Sequence, residues 1–232
     1  LKESSKWLYE NIDRSEVAEA IREAKMQKGT DVHKTIEDIV NRFVDPITNK
    51  LRITPLDAPD NILVTKNIYS ILEQHVKERL ASYPVDTLFL TDVPVVNEEA
   101  GIAGTVDFIA ILPNMQVDIL DWKTTNILYK KDGVVKKRLD ISPFNQKYWR
   151  EQLQMYKNAL ISYGISDFRY TRAIPISVEI NTKLIDKKIG WGVASNVVAQ
   201  ILSAKIGSVD TKKIKTEDFL LIPVATRFES TG

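Results

Sequence analysis

The chain of 232 residues is 44% hydrophobic and 27% charged, a length and composition that suit one globular domain with a sizeable core. Lysine and arginine (32) nearly balance aspartate and glutamate (31), so the formal charge of +1 does not indicate a nucleic-acid binder and any basic surface must be local. The chain has no cysteine, which excludes disulfides, thiolate zinc sites and iron–sulfur clusters held by cysteine.

Helices are predicted for the first third of the chain. A capping-box pattern beginning at Asp13 starts a helix that Gly29 is expected to interrupt, and the helical spacing of apolar residues then resumes. Residues 46–64 contain three prolines and are predicted to form a loop. Thr65 is expected to cap a further helix that ends near Tyr83.

The rest of the chain is predicted to alternate strands and helices. Three consecutive strands form a meander, and a basic segment follows them around an Asp-Gly turn. Ser142 and Pro143 then mark the start of a helix that ends at Gly164. This order predicts an α/β fold with a central mixed sheet flanked by helices. The predicted strands are 88–96, 105–112, 117–123, 172–180 and 219–224, the basic segment is 128–140, and a last helix is predicted at 194–204.

One domain is expected over residues 1–232, with an N-terminal helical part (1–85) and an α/β part (86–232). The chain begins with Leu1 rather than methionine, so we expect a domain cut from a longer protein. No apolar run approaches the roughly 18 residues of a membrane span, and the first residues do not resemble a secretory signal. An intracellular protein is therefore expected, in the cytoplasm, an organelle or a phage-infected cell.

The most informative residues are Asp107 and the sequence Asp121-Trp122-Lys123 that follows it, each within a predicted strand. Because side chains alternate faces along a strand, Asp121 and Lys123 are expected on the same face, and a hairpin would bring Asp107 beside them. Two carboxylates in one small volume suit a hard divalent cation such as Mg²⁺ or Mn²⁺. The alternative is that both aspartates end strands and pair with Lys123.

Four sequence elements in this order resemble the PD-(D/E)XK nuclease superfamily, and most closely its RecB-like exonuclease branch. They are Gly29 to His33 on an N-terminal helix, Gly-Thr-Val-Asp ending at Asp107, Asp121-Trp122-Lys123, and Gln-x-x-x-Tyr from Gln152 to Tyr156 on the following helix. The resemblance covers roughly residues 28–40 and 93–180. Because there is no cysteine, the chain cannot belong to the subgroup of this branch that holds an iron–sulfur cluster.

The resemblance implies a restriction-endonuclease-like core and a Mg²⁺- or Mn²⁺-dependent deoxyribonuclease, with exonuclease action as the expected activity. Lys123 would hold or polarise the attacking water, and Gln152 and Tyr156 would contact the DNA backbone or position the lysine. Glu98 and Glu99, between the first two strands, are further candidates for reaching the metal directly or through water. The implied metal ligands are His33, Asp107, Asp121 and the backbone carbonyl of Trp122.

The basic segment is a candidate for phosphate contacts, because such contacts need only the reach of lysine and arginine and dominate non-specific DNA affinity. Tyr129, Tyr148 and Trp149 could stack on unpaired bases, and a solvated charged loop is the alternative for the whole segment. His75 lies outside the motif and is expected to be structural. The basic candidates are Lys130, Lys131, Lys136, Lys137 and Arg138.

Single- or double-stranded DNA is the expected partner, with a helicase, polymerase or recombinase as a protein partner in recombination or repair, and no membrane. Two alternatives stay open. One is a catalytically inactive nuclease-like domain that binds DNA within a replication or recombination assembly. The other is a structure-specific endonuclease on the same core. A base-reading element would favour site-specific cleavage, and nothing in the sequence marks one.

Overall fold

The computed structural model describes residues 14–98, 101–126, 128–131, 134–137, 141–189 and 192–206. The predicted cap at Asp13 and the predicted strand 219–224 lie outside these residues. The helices are α1 (Arg14–Phe43), α2 (Lys66–Ala81) and α3 (Pro143–Ser162). In the described part of the chain, no helix is long and apolar enough to cross a membrane.

Helix α1 continues through Gly29, so the predicted interruption there is wrong. A glycine within a helix costs only about 1 kcal/mol relative to alanine. The turns that follow bury Val32, Ile36 and Ile39 almost completely against the rest of the protein. Burial of three such side chains stabilises the helix by several times that cost, at about 1.5–3 kcal/mol for each.

The starts of α2 and α3 confirm the predicted caps. The Thr65 hydroxyl accepts a hydrogen bond from the backbone N–H of Ile68, and the Ser142 hydroxyl accepts one from that of Asn145. Each bond satisfies an N–H group that the first turn of a helix leaves without a backbone partner. Pro143 occupies the first helical turn, where its missing N–H costs nothing.

A five-stranded mixed sheet forms the centre of the described structure, as the sequence predicts. Its spatial order is β1-β2-β3-β6-β7, in which β3 and β6 run parallel and the other neighbours run antiparallel. Helix α3 lies between the two parallel strands in the chain, and a separate hairpin, β4–β5, follows β3. The strands are β1 (Leu88–Asn97), β2 (Ile102–Ile111), β3 (Val117–Asn126), β4 (Leu128–Lys131), β5 (Val134–Lys137), β6 (Phe168–Ile189) and β7 (Gly192–Ile206).

The last described element is strand β7, so the helix predicted at 194–204 is wrong. It pairs with β6 along a register that runs from Ile176 opposite Ile206 to Ile189 opposite Gly192. β-Branched residues recur along β7, and these favour strands because they lose side-chain freedom in a helix. An apolar run of this kind fits both helical and strand spacing, and its long hairpin partner decides the outcome.

Two hydrophobic cores lie on the two faces of the sheet. Helices α1 and α2 pack on one face, where Phe108 and Trp122 belong to the core, and α3 packs on the other, where Ile119 and Leu153 do. Side chains on β2 and β3 therefore reach either α1 or α3, according to their position along the strand. Residues at the point where these strands separate can meet both helices.

Candidate metal centre

Asp107 and Asp121 lie opposite each other where strands β2 and β3 separate. The last residues paired in the β2–β3 ladder are Phe108 and Leu120, and the two aspartates follow directly. The backbone N–H of Trp122 donates to Asp107 Oδ2 at 2.8 Å, so a side chain takes the place of a backbone partner. The expectation that a hairpin would bring Asp107 beside Asp121 is confirmed.

The side chain of Asp121 is fully buried, with 0% of the residue exposed. Lys123 Nζ lies 2.8 Å from Asp121 Oδ2, which confirms that both side chains project from one face of β3. Apart from the Lys123 ammonium, no described group donates a hydrogen bond to the ionised Asp121 carboxylate. Burial, and then the negative charge of Asp107, raise the pKa of Asp121 to about 7, and the charge of Lys123 offsets only part of this rise.

His33 reaches the same centre from α1. Its Nδ1 atom lies 3.4 Å from Asp107 Oδ2, and the two side chains are about one third and one fifth exposed (33% and 21%). Burial alone would raise the pKa of Asp107, but the hydrogen bond and charge of His33 outweigh it and hold that pKa below its usual value. Helix α1 and strands β2 and β3 therefore all contribute side chains to one compact cluster.

Asp92, on β1, is a third carboxylate at this centre that the sequence analysis missed. Thr91 pairs with Phe108 and Val93 pairs with Val106, so Asp92 stands opposite Asp107 across the β1–β2 ladder. Its φ of +49° is unusual for a residue with a side chain, although aspartate tolerates this region better than most. A charged residue in the middle of a mostly apolar strand was the signal available in the sequence.

The carboxylate of Asp92 is influenced by two acidic neighbours. Although Asp92 is exposed, desolvation by its neighbours, and then a hydrogen bond and the charge of Glu37 on α1, raise the pKa of Asp92 to about 6, with Asp107 adding to the rise. Lys34 Nζ lies 2.7 Å from Glu37 and offsets part of this negative charge. An open cleft of about 200 Å³ is lined by these residues, namely Thr30, His33, Lys34, Glu37, Asp92, Asp107 and Trp122.

Gln152 and Tyr156 approach the carboxylates from α3. Gln152 Nε2 donates to the Tyr156 hydroxyl at 2.6 Å, as their spacing of four residues on one helix allows. Burial, and then the charge of Asp121, raise the pKa of Tyr156, which indicates that the phenol lies near that carboxylate. A Cβ atom on Gly104 would lie 2.9 Å from the Tyr156 ring, so glycine at this position lets the ring pack against β2.

Several predicted contributors do not join the centre. Glu98 is exposed in the turn after β1, six residues beyond Asp92 and therefore roughly 20 Å along the strand. Trp149 is 5% exposed and belongs to the core under α3, so its predicted stacking on bases is wrong, whereas Tyr148 is 56% exposed. Trp149 is buried because it lies on the inner face of α3, four residues before Leu153.

Other predicted residues are only partly covered by the structure. Glu99 and Arg138 lie outside the described residues. The predicted basic turn forms the β4–β5 hairpin, which carries Lys130 and Lys131 on one strand and Lys136 and Lys137 on the other, but only its backbone is described.

Trp122 and His75 form a structural contact beneath the centre. Trp122 is 3% exposed, and its indole Nε1 donates to His75 Nε2 at 3.3 Å. Burial, and then the charge of Arg79, lower the pKa of His75 to about 4, so this imidazole is neutral and accepts the bond. The Trp122 backbone N–H donates to Asp107, and Trp122 pairs with Ile174 in the β3–β6 ladder.

The chemistry of these side chains suits a small divalent cation. Mg²⁺ binds proteins through one or two carboxylates and keeps several waters, and Asp107 with Asp121 provides two. The Asp121 carboxylate is fully buried beside Asp107, and a cation would add to the positive charge that Lys123 alone provides there. No group of three or more His, Asp or Glu side chains converges on one point among the described residues, so a third protein ligand would require rearrangement.

Comparisons with protein-family models, with curated proteins and with solved structures found no match for this chain.

Proposed function

We propose that this protein is a metal-dependent deoxyribonuclease of the RecB-like kind. The observation that carries the proposal is the fully buried Asp121 carboxylate, which lies opposite Asp107 and has Lys123 at 2.8 Å. Without a cation this arrangement is costly, because the charge of Asp121 is desolvated and repelled by Asp107. A bound divalent cation offsets the charges of both carboxylates and forms a site for phosphodiester hydrolysis.

Each side chain has a stated role in this proposal. Asp107 and Asp121 hold Mg²⁺ or Mn²⁺, and the bound cation supplies an acidified water and stabilises charge on the phosphate oxygens. Lys123 orients the attacking water and offsets negative charge that develops at phosphorus. His33 fixes the orientation of Asp107 or joins the ligand set when that carboxylate turns toward the cation.

The order of the elements supports a restriction-endonuclease-like core as part of the proposal. A helix precedes a three-stranded antiparallel meander, and a second helix leads to a strand parallel to the third one. Strands β2 and β3, which carry the charged residues of the motif, are neighbours in the sheet, with α1 and α3 on either side. Asp107, Asp121 and Lys123 thus lie on adjacent strands, as the motif requires.

Cleavage assays on purified protein test the proposal. Labelled single- and double-stranded DNA, incubated with Mg²⁺ or Mn²⁺, should be degraded by the unchanged chain, and chelation should stop the reaction. Asp121→Asn should lower the rate by at least about a hundredfold, the usual scale for loss of an electrostatic catalytic group. Asp60→Asn, an identical change at an exposed residue of the 46–64 loop, should leave the rate unaltered. Equal rates for both variants would contradict the proposal.

A DNA-binding domain without catalytic activity is the second candidate, and the pairing of charges within the centre favours it. His33 already contacts Asp107, and Lys123 already forms an ion pair with Asp121, without any cation. A DNA-binding domain without catalytic activity should bind DNA with the same affinity in EDTA and should show no heat of Mn²⁺ binding. Calorimetry with and without Mn²⁺ therefore separates the two candidates.

A further inference from the structure

A second polar pocket lies on the opposite face of the sheet from Asp121. Asp118 is three residues before Asp121 on β3, so the two side chains project from opposite faces and their backbones are roughly 10 Å apart. The pocket has a volume of about 240 Å³ and lies beside the end of α2 and the start of β6. Its charged and aromatic side chains are Arg79, Tyr83, Asp118, Arg169, Tyr170 and Arg172.

One of the three arginines is already paired in this pocket. Arg169 Nε donates to Asp118 Oδ1 at 3.0 Å, and a second guanidinium nitrogen contacts Oδ2, so the pair is bidentate. Asp118 is 1% exposed, and this fork-shaped contact compensates its buried charge. Asp118 and Arg169 therefore form a neutral unit that builds the floor of the pocket.

The other two arginines, Arg79 and Arg172, bring positive charge that Asp118 offsets only in part. In the described structure the Nε atoms of both are buried without a hydrogen bond. Burial, and then the charge of Arg79, lower the pKa of Arg172, which shows that the two cations repel each other. Two such guanidinium groups in one pocket are unfavourable unless an anion joins them.

The aromatic rings of the pocket hold two of the guanidinium groups in place. The guanidinium carbons of Arg169 and Arg172 lie 4.7 Å and 5.6 Å from the centre of the Tyr170 ring, so the ring packs against both arginines. Arg169 also lies 5.5 Å from the Tyr83 ring. This packing positions the arginines before any ligand arrives, which lowers the entropy cost of binding.

We propose that this pocket binds a terminal phosphate, that is, a phosphomonoester dianion. Three arginines and one aspartate leave a charge of two units. A phosphomonoester carries about −1.5 to −2 at neutral pH and balances it, whereas an internal phosphodiester carries only one negative charge. Guanidinium groups also match the oxygens of phosphate in geometry. The same chemistry could be presented by a free 5′-nucleotide or by the phosphorylated end of a DNA strand.

Calorimetric titration of the full chain with inorganic phosphate at pH 8 tests the proposal. Saturable binding is expected, and Arg79→Gln or Arg172→Gln should each weaken it by about tenfold or more, since a hydrogen bond to a charged group contributes about 1.5–3 kcal/mol. Arg22→Gln is the matched control, because Arg22 is exposed on α1 and pairs only with Glu19 among described residues. Absence of saturable binding, or equal weakening by all three variants, would overturn the proposal.

Thermal melting separates ligand binding from a structural role of these arginines. Without phosphate, Arg172→Gln should melt at or above the temperature of the unchanged chain, because it removes repulsion from Arg79. Phosphate should raise the melting temperature of the unchanged chain but not that of the variant. A variant that melts lower without phosphate, and that responds to phosphate as the unchanged chain does, would overturn the proposal.

Three ligands distinguish a free nucleotide from the phosphorylated end of a DNA strand. A 5′-mononucleotide, a 5′-phosphorylated oligonucleotide and the same oligonucleotide with a 5′-hydroxyl are compared against the Arg172→Gln variant. If the mononucleotide binds more tightly, and Arg172→Gln weakens that binding, the ligand is a free nucleotide. If the phosphorylated oligonucleotide does so, the ligand is a strand end. Equal Arg172-dependent affinity for the hydroxyl strand would contradict recognition of a phosphomonoester. Because neither Arg79 nor Arg172 lines the carboxylate centre, failure here leaves metal-dependent cleavage untouched.

Discussion

Carboxylates in one row across three strands are the main feature at the residue scale. Asp92, Asp107 and Asp121 occupy successive register positions on β1, β2 and β3. Like charges opposite each other on neighbouring strands destabilise a sheet, and both ladders are interrupted at this row. The positive φ of Asp92 adds local strain at the same place. Such a concentration of unfavourable features is typical of a functional site.

Replacing Asp92 with asparagine tests its contribution at the residue scale. Both residues tolerate a positive φ, so the backbone is expected to stay unchanged while one negative charge is removed beside Asp107. Mn²⁺ affinity at pH 8, measured by calorimetry, should fall by about 1 kcal/mol, or roughly fivefold. The matched control is Asp86→Asn, since Asp86 also has a positive φ (68°) but pairs with Lys50 at the surface. Equal effects of both changes would exclude a specific role for Asp92.

At the scale of the elements, contacts between helices and strands position the side chains of the centre. Helix α3 approaches β2 closely at one point, where the Tyr156 ring lies over Gly104. Tyr156 is 4% exposed and bonded to Gln152, so it has little room to move. The glycine of the Gly-Thr-Val-Asp sequence therefore serves the packing of the Gln-x-x-x-Tyr helix, which connects two parts of the motif physically.

Gly104→Ala should destabilise the protein by about 1–3 kcal/mol, because the added methyl group overlaps the Tyr156 ring. Urea unfolding provides the measurement. Gly29→Ala is the control with the opposite expectation, since its added Cβ would lie 3.9 Å from the nearest atom and alanine favours the helix by up to about 1 kcal/mol. Combining Gly104→Ala with Tyr156→Leu should recover part of the loss. A full additive loss in the double variant would show that the overlap is not the cause.

The hydrogen bond between Trp122 on β3 and His75 on α2 predicts that the stability of the protein depends on pH. The pKa of His75 is about 4 in the folded protein and 6.5 in the unfolded chain, so the unfolded chain binds more protons between these values. The contribution of the neutral imidazole is present above pH 6.5 and is lost as the pH falls toward 4, by about 3 kcal/mol. The difference in unfolding free energy between the unchanged chain and His75→Gln should follow this curve. A difference that is constant over that range would contradict it.

At the scale of the whole molecule, local signals predicted most of the architecture. The caps at Thr65 and Ser142 and the apolar strands before Asp107 and Lys123 agree with the structure, because each depends on neighbours in sequence. Strand β7 and the unbroken α1 depend on distant partners, namely β6 and the sheet face, which no local pattern records. Asp92 was missed for the same reason, since only the register of β1 against β2 brings it to Asp107.

The stability of the whole molecule should report metal binding. The pKa of Asp121 is raised from 3.8 to about 7, so this group favours the folded state when protonated, and its contribution is lost as the pH rises through 7. A cation at the centre replaces that proton. A group with a pKa of 7 is about tenfold more ionised at pH 8 than at pH 6, so Mn²⁺ should bind roughly tenfold more tightly at pH 8.

Melting curves at both pH values measure this linkage. A cation at a hundred times its Kd stabilises the folded state by about 2.7 kcal/mol, which for a chain of this size raises the melting temperature by about 5–10 °C. The rise at a fixed Mn²⁺ concentration should therefore be larger at pH 8 than at pH 6. Asp121→Asn should abolish the rise at both values, because the amide neither titrates nor neutralises the cation. If Mn²⁺ raised the melting temperature of this variant as much as that of the unchanged chain, the cation would have to bind elsewhere in the molecule.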